Sequence, residues 1–313
     1  MRRLNKPYIV RLFHRLTGRR SKLNLFWSDL APKTLFVDVG ASYFYNKNWI
    51  QATRLPSSTF IQIDPNLENL DYIDKNPVDA KVYKVPLALS GGGGERTLYV
   101  TNVDSGSTLF KPWISPDFEP RLSSEIYSYF FPLEEKTITT HTLESVIPIE
   151  AQDTPTVLKL DAQGSELEIL RGSESVLRRQ VLAIEVEASL LRHPFAKDGT
   201  KFADVQLFLE SLGFELVNLD LLYSHGPTAP KDIARRGYLN ECDALFVLNH
   251  REIQMRDIDS KLSAFFILSL YGQSRDCIKL LEGDLALRDA LYAAAGGSEQ
   301  LKKILVTQEK SKF

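Results

Sequence analysis

The sequence predicts a doubly wound, Rossmann-like α/β domain on a mostly parallel sheet, closed at one edge by an antiparallel pair and followed by a small C-terminal helical unit. Three observations lead there. Apolar runs of strand length recur from about residue 34 to 249, with helical stretches between them. Such near-continuous runs mark strands covered on both faces. The last two runs are joined by a polar loop containing Gly226, Pro227 and Pro230, which suits an antiparallel return. Beyond Arg251, leucines fall at three and four spacing, a helical pattern.

In chain order the predicted strands are LFVDV (35–39), TFIQID (59–64), KVYKVPLALS (81–90), TVLKLD (156–161), VLAIEVE (181–187), FELVNL (214–219) and DALFVL (243–248). Residues 91–140 break the rhythm. They open with four glycines and crowd Phe110, Trp113, Phe118, Tyr127, Tyr129, Phe130 and Phe131 together, as a binding loop or lid does. The expected organisation is a basic N-terminal extension over 1–32, the α/β domain over 33–250 with an insertion at 91–140, and a helical extension over 251–313. The last unit suits docking on the core or on another copy of the chain.

Composition narrows the function. A net charge of -2 over 313 residues excludes a globally basic nucleic-acid binder. Cys242 and Cys277 form neither a disulfide framework nor a CxxC pair, as in a reduced, cytoplasmic protein. No run of eighteen apolar residues exists, so no spanning helix is expected. Residues 1–22 hold eight Lys or Arg and no acid, with Ile9, Leu12, Phe13 and Leu16 at helical spacing. That pattern fits a basic amphipathic helix, either solvated on the domain's edge or peripheral at an anionic inner membrane surface.

In open α/β sheets ligands sit beyond the C-terminal strand ends. Those positions hold Asp38-Val39-Gly40-Ala41-Ser42, Asp64-Pro65-Asn66, Ala88-Leu89-Ser90 and Asp161. Gly40 suits a sharp turn where backbone approaches a ligand. Asp64, 24 residues after Gly40, can accept from both ribose hydroxyls of an adenosine. In LKLDAQGSELEILRGS (158–173), Ser165 and Glu168 fit a capping box that starts a helix at Glu166. Leu167 and Leu170 are expected on its buried face and Gly172 at its end. Asp161 has no such structural explanation.

This last stretch resembles the signature of the FkbM-type methyltransferase family. VDVGAS, FIQIDPN, VPLALSGGGGERTLYVTNVDSGSTLFKP, TTHTLESV and NECDALFVLN resemble other family segments, in order, over roughly 33–249. The resemblance implies S-adenosylmethionine (SAM) as cofactor, a class I methyltransferase sheet, and methyl transfer to a hydroxyl of a sugar, glycan or glycolipid, or of a natural product. It implies that Asp38, Gly40, Ala41 and Ser42 face the methionine part, Asp64 the ribose, Ala88 and Leu89 the adenine, with Asp161 on the pocket floor. The family's second loop glycine is replaced: the loop reads Gly40-Ala41-Ser42-Tyr43-Phe44. Two outcomes are then expected: another route for the loop, with Tyr43, Tyr45 and Trp49 lining the pocket, or impaired cofactor binding.

A neutral hydroxyl must lose its proton at or after transfer, so a base is required. Asp161 and His141 are the candidates, and Glu187, at the mouth end of its strand, is placed to orient the acceptor. No ligand spacing calls for a metal. The aromatic insert, 105–131, is the expected acceptor surface. A dinucleotide oxidoreductase is disfavoured, since GASYFY supplies no G-x-G-x-x-G. A non-catalytic adenosine-binding or scaffold protein on the same fold is the remaining alternative.

Overall fold

The structure, a computed structural model, describes residues 27, 30–73, 78–112, 131–190, 199–224 and 238–303. The basic N-terminal segment, the aromatics from Trp113 to Phe130, and the loop with Gly226, Pro227 and Pro230 lie outside these residues. The main sheet has seven strands. They are β1 (Thr34–Val39), β2 (Ser58–Ile63), β3 (Lys81–Val85), β7 (Thr156–Leu160), β8 (Val181–Ser189), β9 (Phe214–Ser224) and β10 (Tyr238–Leu248). Their order is β3-β2-β1-β7-β8-β10-β9. The first five run parallel, and β10 is antiparallel to both β8 and β9. The order reverses between β1 and β7, so the switch point lies at their C-terminal ends.

The run KVYKVPLALS is not one strand. Pro86 has no N–H to give the ladder, and Leu87 N–H turns back to the Val85 carbonyl at 2.8 Å. The chain therefore leaves β3 and enters β4 (Ala88–Leu89), in a second sheet. That sheet has the order β4-β6-β5, with β5 (Gly94–Thr101) and β6 (Pro132–His141) antiparallel. Both ends of the 91–140 segment are thus regular strands.

The helices are α1 (Leu67–Ile73), α2 (Leu143–Val146), α3 (Glu166–Gly172), α4 (Glu174–Gln180), α5 (Phe202–Ser211), α6 (His250–Gln254), α7 (Ile258–Leu270), α8 (Ser274–Gly283) and α9 (Leu285–Ala295). No α-helix joins β1 to β2, only two single 3-10 turns at 47–49 and 52–54. The face left open there is covered by α7. Asp257 caps α7 by accepting from Ser260 N–H at 2.7 Å. From Ser263 to Leu270 every residue of α7 is buried, as in a helix enclosed on all sides. Phe266 meets Phe36 of β1 edge-on, Trp27 lies 4.6 Å from Phe266, and Phe36 stacks on Phe60 of β2 at 4.7 Å. Part of the C-terminal helical unit therefore completes the core. Among the described residues no helix is long and apolar enough to cross a membrane.

Candidate active site

Beyond the C-terminal ends of β1, β2 and β7 opens a cleft of about 390 Å³. Its floor begins at Gly40. β1 ends at Val39, whose carbonyl accepts the Asp161 N–H at 3.0 Å, and Gly40 N–H reaches the Ile63 carbonyl at 2.9 Å. Gly40 has φ +80°, and a β-carbon there would lie 1.8 Å from the Asp161 carbonyl oxygen. Only glycine meets both demands. Gly40, Ser42, Asp64, Ala88, Leu89 and Asp161 all line the cleft, as the strand-end argument requires.

Asp64 sits in an Asx turn: its Oδ1 accepts from Asn66 N–H at 2.7 Å and from Asn69 Nδ2 at 3.1 Å. Both bonds fall on Oδ1, so Oδ2 remains for a ligand. Burial raises the Asp64 carboxyl to about 6, against the lowering effect of Asn66 and Asn69.

Several expected residues do not line this cleft. The Ala41 side chain is buried, 1% exposed, and its N–H bonds the Ile63 carbonyl. Asp38 lies beneath the floor, because strand side chains alternate and Val39 takes the cleft side. His141 ends β6, where it pairs with Leu89 and its carbonyl accepts from Ser90 N–H. The pairing of β6 with β4 fixes it outside the cleft. Tyr43, Tyr45 and Trp49 also pack elsewhere: Tyr43 edge-on against Tyr72, Tyr45 against Phe60, and Trp49 against Phe36. Phe44 is not among the lining residues either, so its bulk does not fill the cleft.

Strand register assembles a charged row under the floor. Asp38 pairs with Lys159, and Lys159 with Glu185. Lys159 Nζ lies 3.5 Å from Asp38 Oδ1 and 3.3 Å from Asp161 Oδ2. Its burial disfavours the charge, but Asp161, Asp38, Glu185 and Glu187 together hold it firmly protonated. Burial raises Asp38 to about 6 even so. Asp161 is opposite. Burial pushes it up, yet Lys159 and hydrogen bonds from Glu187, Gln163 and Lys159 outweigh that and hold it below the usual carboxylate range. Glu187, beside it, is pushed up by the Asp161 charge and then by burial, and stays protonated. Glu187 also lines a small adjoining pocket with Ser189, Thr200 and Glu241. Gln163 stands between the two, at a left-handed φ of 51°, donating to Asp161 Oδ1 at 2.9 Å.

Sequence reasoning missed Lys159 and Gln163. A lysine inside an otherwise buried strand was a signal for the first, since lysine is almost never buried unpaired. The second gave none.

The helix α3 starts at Glu166 as expected, but the cap is different. Ser165 has φ −91° and ψ 1° and makes no side-chain cap bond. Instead Glu166 Oε1 accepts from Ala162 N–H at 2.8 Å and Gly164 N–H at 3.0 Å. Glu168 turns outward to Arg96 of β5 at 3.3 Å, tying the second sheet to the first. On the inner face Ile169 and Leu170 are buried, while Leu167 is only partly so. Burial raises Glu166 to about 7 from its ordinary 4.5. A raised carboxyl stabilises the fold fully below its ordinary value and loses that contribution as pH rises through its folded value. The urea midpoint of the parent is expected to fall as pH rises from about 4 to about 7, since Asp38 and Asp64 shift in the same direction. Glu166→Gln should fall less steeply; equal slopes would clear Glu166 of this role.

The profile of the family described as "Methyltransferase FkbM domain" matches residues 38–216. Among solved structures, the chain is similar to a TehB-like SAM-dependent methyltransferase from Corynebacterium glutamicum, at 11% identity over 77% of this chain and 95% of that one, with a TM-score of 0.32. A SAM-dependent methyltransferase from Anabaena variabilis matches at 11% identity over 77% of this chain and 84% of that one, with a TM-score of 0.33. No curated protein matches the sequence closely enough to be called a relative.

Proposed function

This chain belongs to the FkbM methyltransferase family, and from that premise we propose that it uses SAM and transfers the methyl group to a hydroxyl oxygen of a sugar, glycan or glycolipid, with Asp161 taking the proton. The observation that carries this reading is the Asp161 carboxyl on the cleft floor, with Lys159 Nζ 3.3 Å from Oδ2 and Gln163 Nε2 2.9 Å from Oδ1. A carboxylate has about four lone-pair sites; Lys159, Gln163 and Glu187 engage three, which leaves one for an acceptor hydroxyl.

The residues present fit the cofactor. The glycine at position 40 keeps open a space that a β-carbon would close, Asp64 retains an oxygen for ribose hydroxyls, and Ala88, Leu89 and Ile63 offer apolar surface to a base. When bound, SAM supplies a methyl group already activated by its sulfonium charge. The protein's work is then alignment, exclusion of water and removal of one proton. The far wall of the cleft comes from the second sheet and the start of the insert. It joins Leu98, Val100 and Ile138 to Ser105, Ser107 and Lys136. Thr108 fastens that wall by donating to the Gln163 carbonyl at 2.7 Å. Apolar patches beside hydroxyl and ammonium groups suit the mixed surface of a sugar. Trp113, Phe118, Tyr127, Tyr129 and Phe130 of the insert, expected as acceptor surface, lie outside the described residues.

Calorimetric titration with SAM tests the cofactor half of this reading. Losing a hydrogen bond to a charged group costs about 1.5–3 kcal/mol, so Asp64→Asn should weaken binding by roughly 10- to 100-fold. Because the ionised carboxylate is the better acceptor, parent affinity should decline as pH falls through about 6, and the variant should lack that decline. Acceptor class is read by methyl incorporation across simple glycosides, glycolipids and non-sugar alcohols. Turnover confined to the last group would overturn the sugar assignment.

A further inference from the structure

The segment LSLYGQ, 268–273, closes α7. Gly272 takes φ 71°, its N–H bonds the Ser269 carbonyl at 3.1 Å, and Gln273 N–H bonds the Leu268 carbonyl at 2.9 Å. This is the Schellman geometry that stops a helix after its cap residue. It fixes Tyr271 at the end of a helix clamped to the sheet, under the site rather than beside it. The Tyr271 hydroxyl accepts from Trp49 Nε1 at 2.9 Å and is hydrogen-bonded to Glu185. Glu185 Oε2 also accepts from Asn46 Nδ2 at 2.9 Å.

Asn46 and Trp49 belong to the connection that begins at Gly40 and Ser42. This connection has no α-helix to stiffen it, and Tyr43 within it holds a left-handed φ of 62°, a conformation that persists only where surroundings impose it. Asn46 Oδ1 accepts from Asn48 N–H at 2.8 Å, so both side-chain ends of Asn46 are committed. Glu185 in turn is paired in register with Lys159, which bridges Asp38 and Asp161. One chain of contacts thus runs from the C-terminal unit to both the glycine loop and the proton acceptor.

We infer that Tyr271, which lies beyond the family-matched segment, is a positioning residue of the cofactor site: with Glu185 it anchors Asn46 and Trp49 and so sets the path of Gly40–Ser42. A phenylalanine fills nearly the same space but cannot hold Trp49 or Glu185, so the hydroxyl can be tested apart from the bulk. Tyr271→Phe and Trp49→Phe are titrated with SAM by calorimetry beside the parent. Ile253→Val, a mild core truncation in α6, serves as the stability control, the Tyr271→Phe/Trp49→Phe double variant is titrated as well, and all five proteins are melted.

Tyr271→Phe is expected to raise the SAM Kd about tenfold, and its KM for SAM in step, with kcat changed less than about twofold. Trp49→Phe should weaken binding similarly, and the double variant less than the sum, since both break one bond. Ile253→Val should lower the melting temperature without moving Kd. Parent-like affinity in Tyr271→Phe would overturn the inference. So would an equal loss of affinity in Ile253→Val, which would reduce the effect to general stability. Failure of the parent to bind SAM would overturn the cofactor assignment and this inference with it.

Discussion

Asp161→Asn is expected to lower the methyl-transfer rate by about 10²- to 10⁴-fold, the usual contribution of a positioned general base, while SAM still binds within a few-fold of the parent. The substitution keeps shape and the hydrogen bond from Gln163, and removes the negative charge and with it the capacity to take a proton. It also has a consequence for Glu187. The Asp161 charge is the leading cause of Glu187's raised pKa, so in the variant Glu187 ionises more readily and residual turnover should grow with pH. Glu187→Gln separates the two carboxyls. Glutamine can still donate to Asp161, so this variant should keep its rate within about tenfold of the parent. Single-turnover rates and SAM titrations on both variants decide the matter. If Glu187→Gln proved the more damaging, Glu187 and not Asp161 would be the base. If Asp161→Asn turned over normally, the mechanism proposed here would fail.

Gly40→Ala should strike stability and cofactor binding together. A non-glycine residue in the left-handed region costs about 1–2 kcal/mol. The added carbon would also overlap the Asp161 carbonyl oxygen, 1.8 Å away, and overpacking of this kind costs about 1–3 kcal/mol more. A total near 2–5 kcal/mol is a large part of an ordinary domain's roughly 5–15 kcal/mol. The oxygen belongs to backbone, so relief requires the ends of β1 and β7 to move apart, and these ends carry the cleft floor. The urea midpoint should fall clearly, SAM binding should weaken, and the folded fraction should transfer methyl about 100-fold more slowly, since misplacement by about 1 Å is enough for rate losses of that order. A variant with the parent's midpoint and affinity would show that the loop yields freely.

The strands of the main sheet were legible because burial on both faces forces a continuous apolar run, whatever the neighbours. The strand-end residues Gly40, Asp64 and Asp161 were legible for a related reason: parallel strands direct all their C-terminal ends to one side. The errors have a common source as well. KVYKVPLALS reads as one run because periodicity does not say which sheet a residue joins; Pro86 divides it. His141 follows a convincing strand, but its pairing with Leu89 decides where it lies. Glu168 has the spacing of a cap, yet Arg96, 72 residues earlier, draws it away and Glu166 takes its place.

By itself the sequence determined which segments are strands, which strand ends carry glycine or carboxylate, and the family to which their order points. These are local properties, set by side-chain chemistry within a few residues. Tertiary structure alone decided that Lys159 lies between Asp38 and Asp161, that Asp161 is ionised while Glu187 is not, and that Tyr271 reaches the loop after Gly40. Each depends on groups brought within hydrogen-bond or Coulomb range by strand register and helix docking. Coulomb energy and desolvation vary with distance through space and not along the chain, so a carboxylate's state is written only where the strands have met.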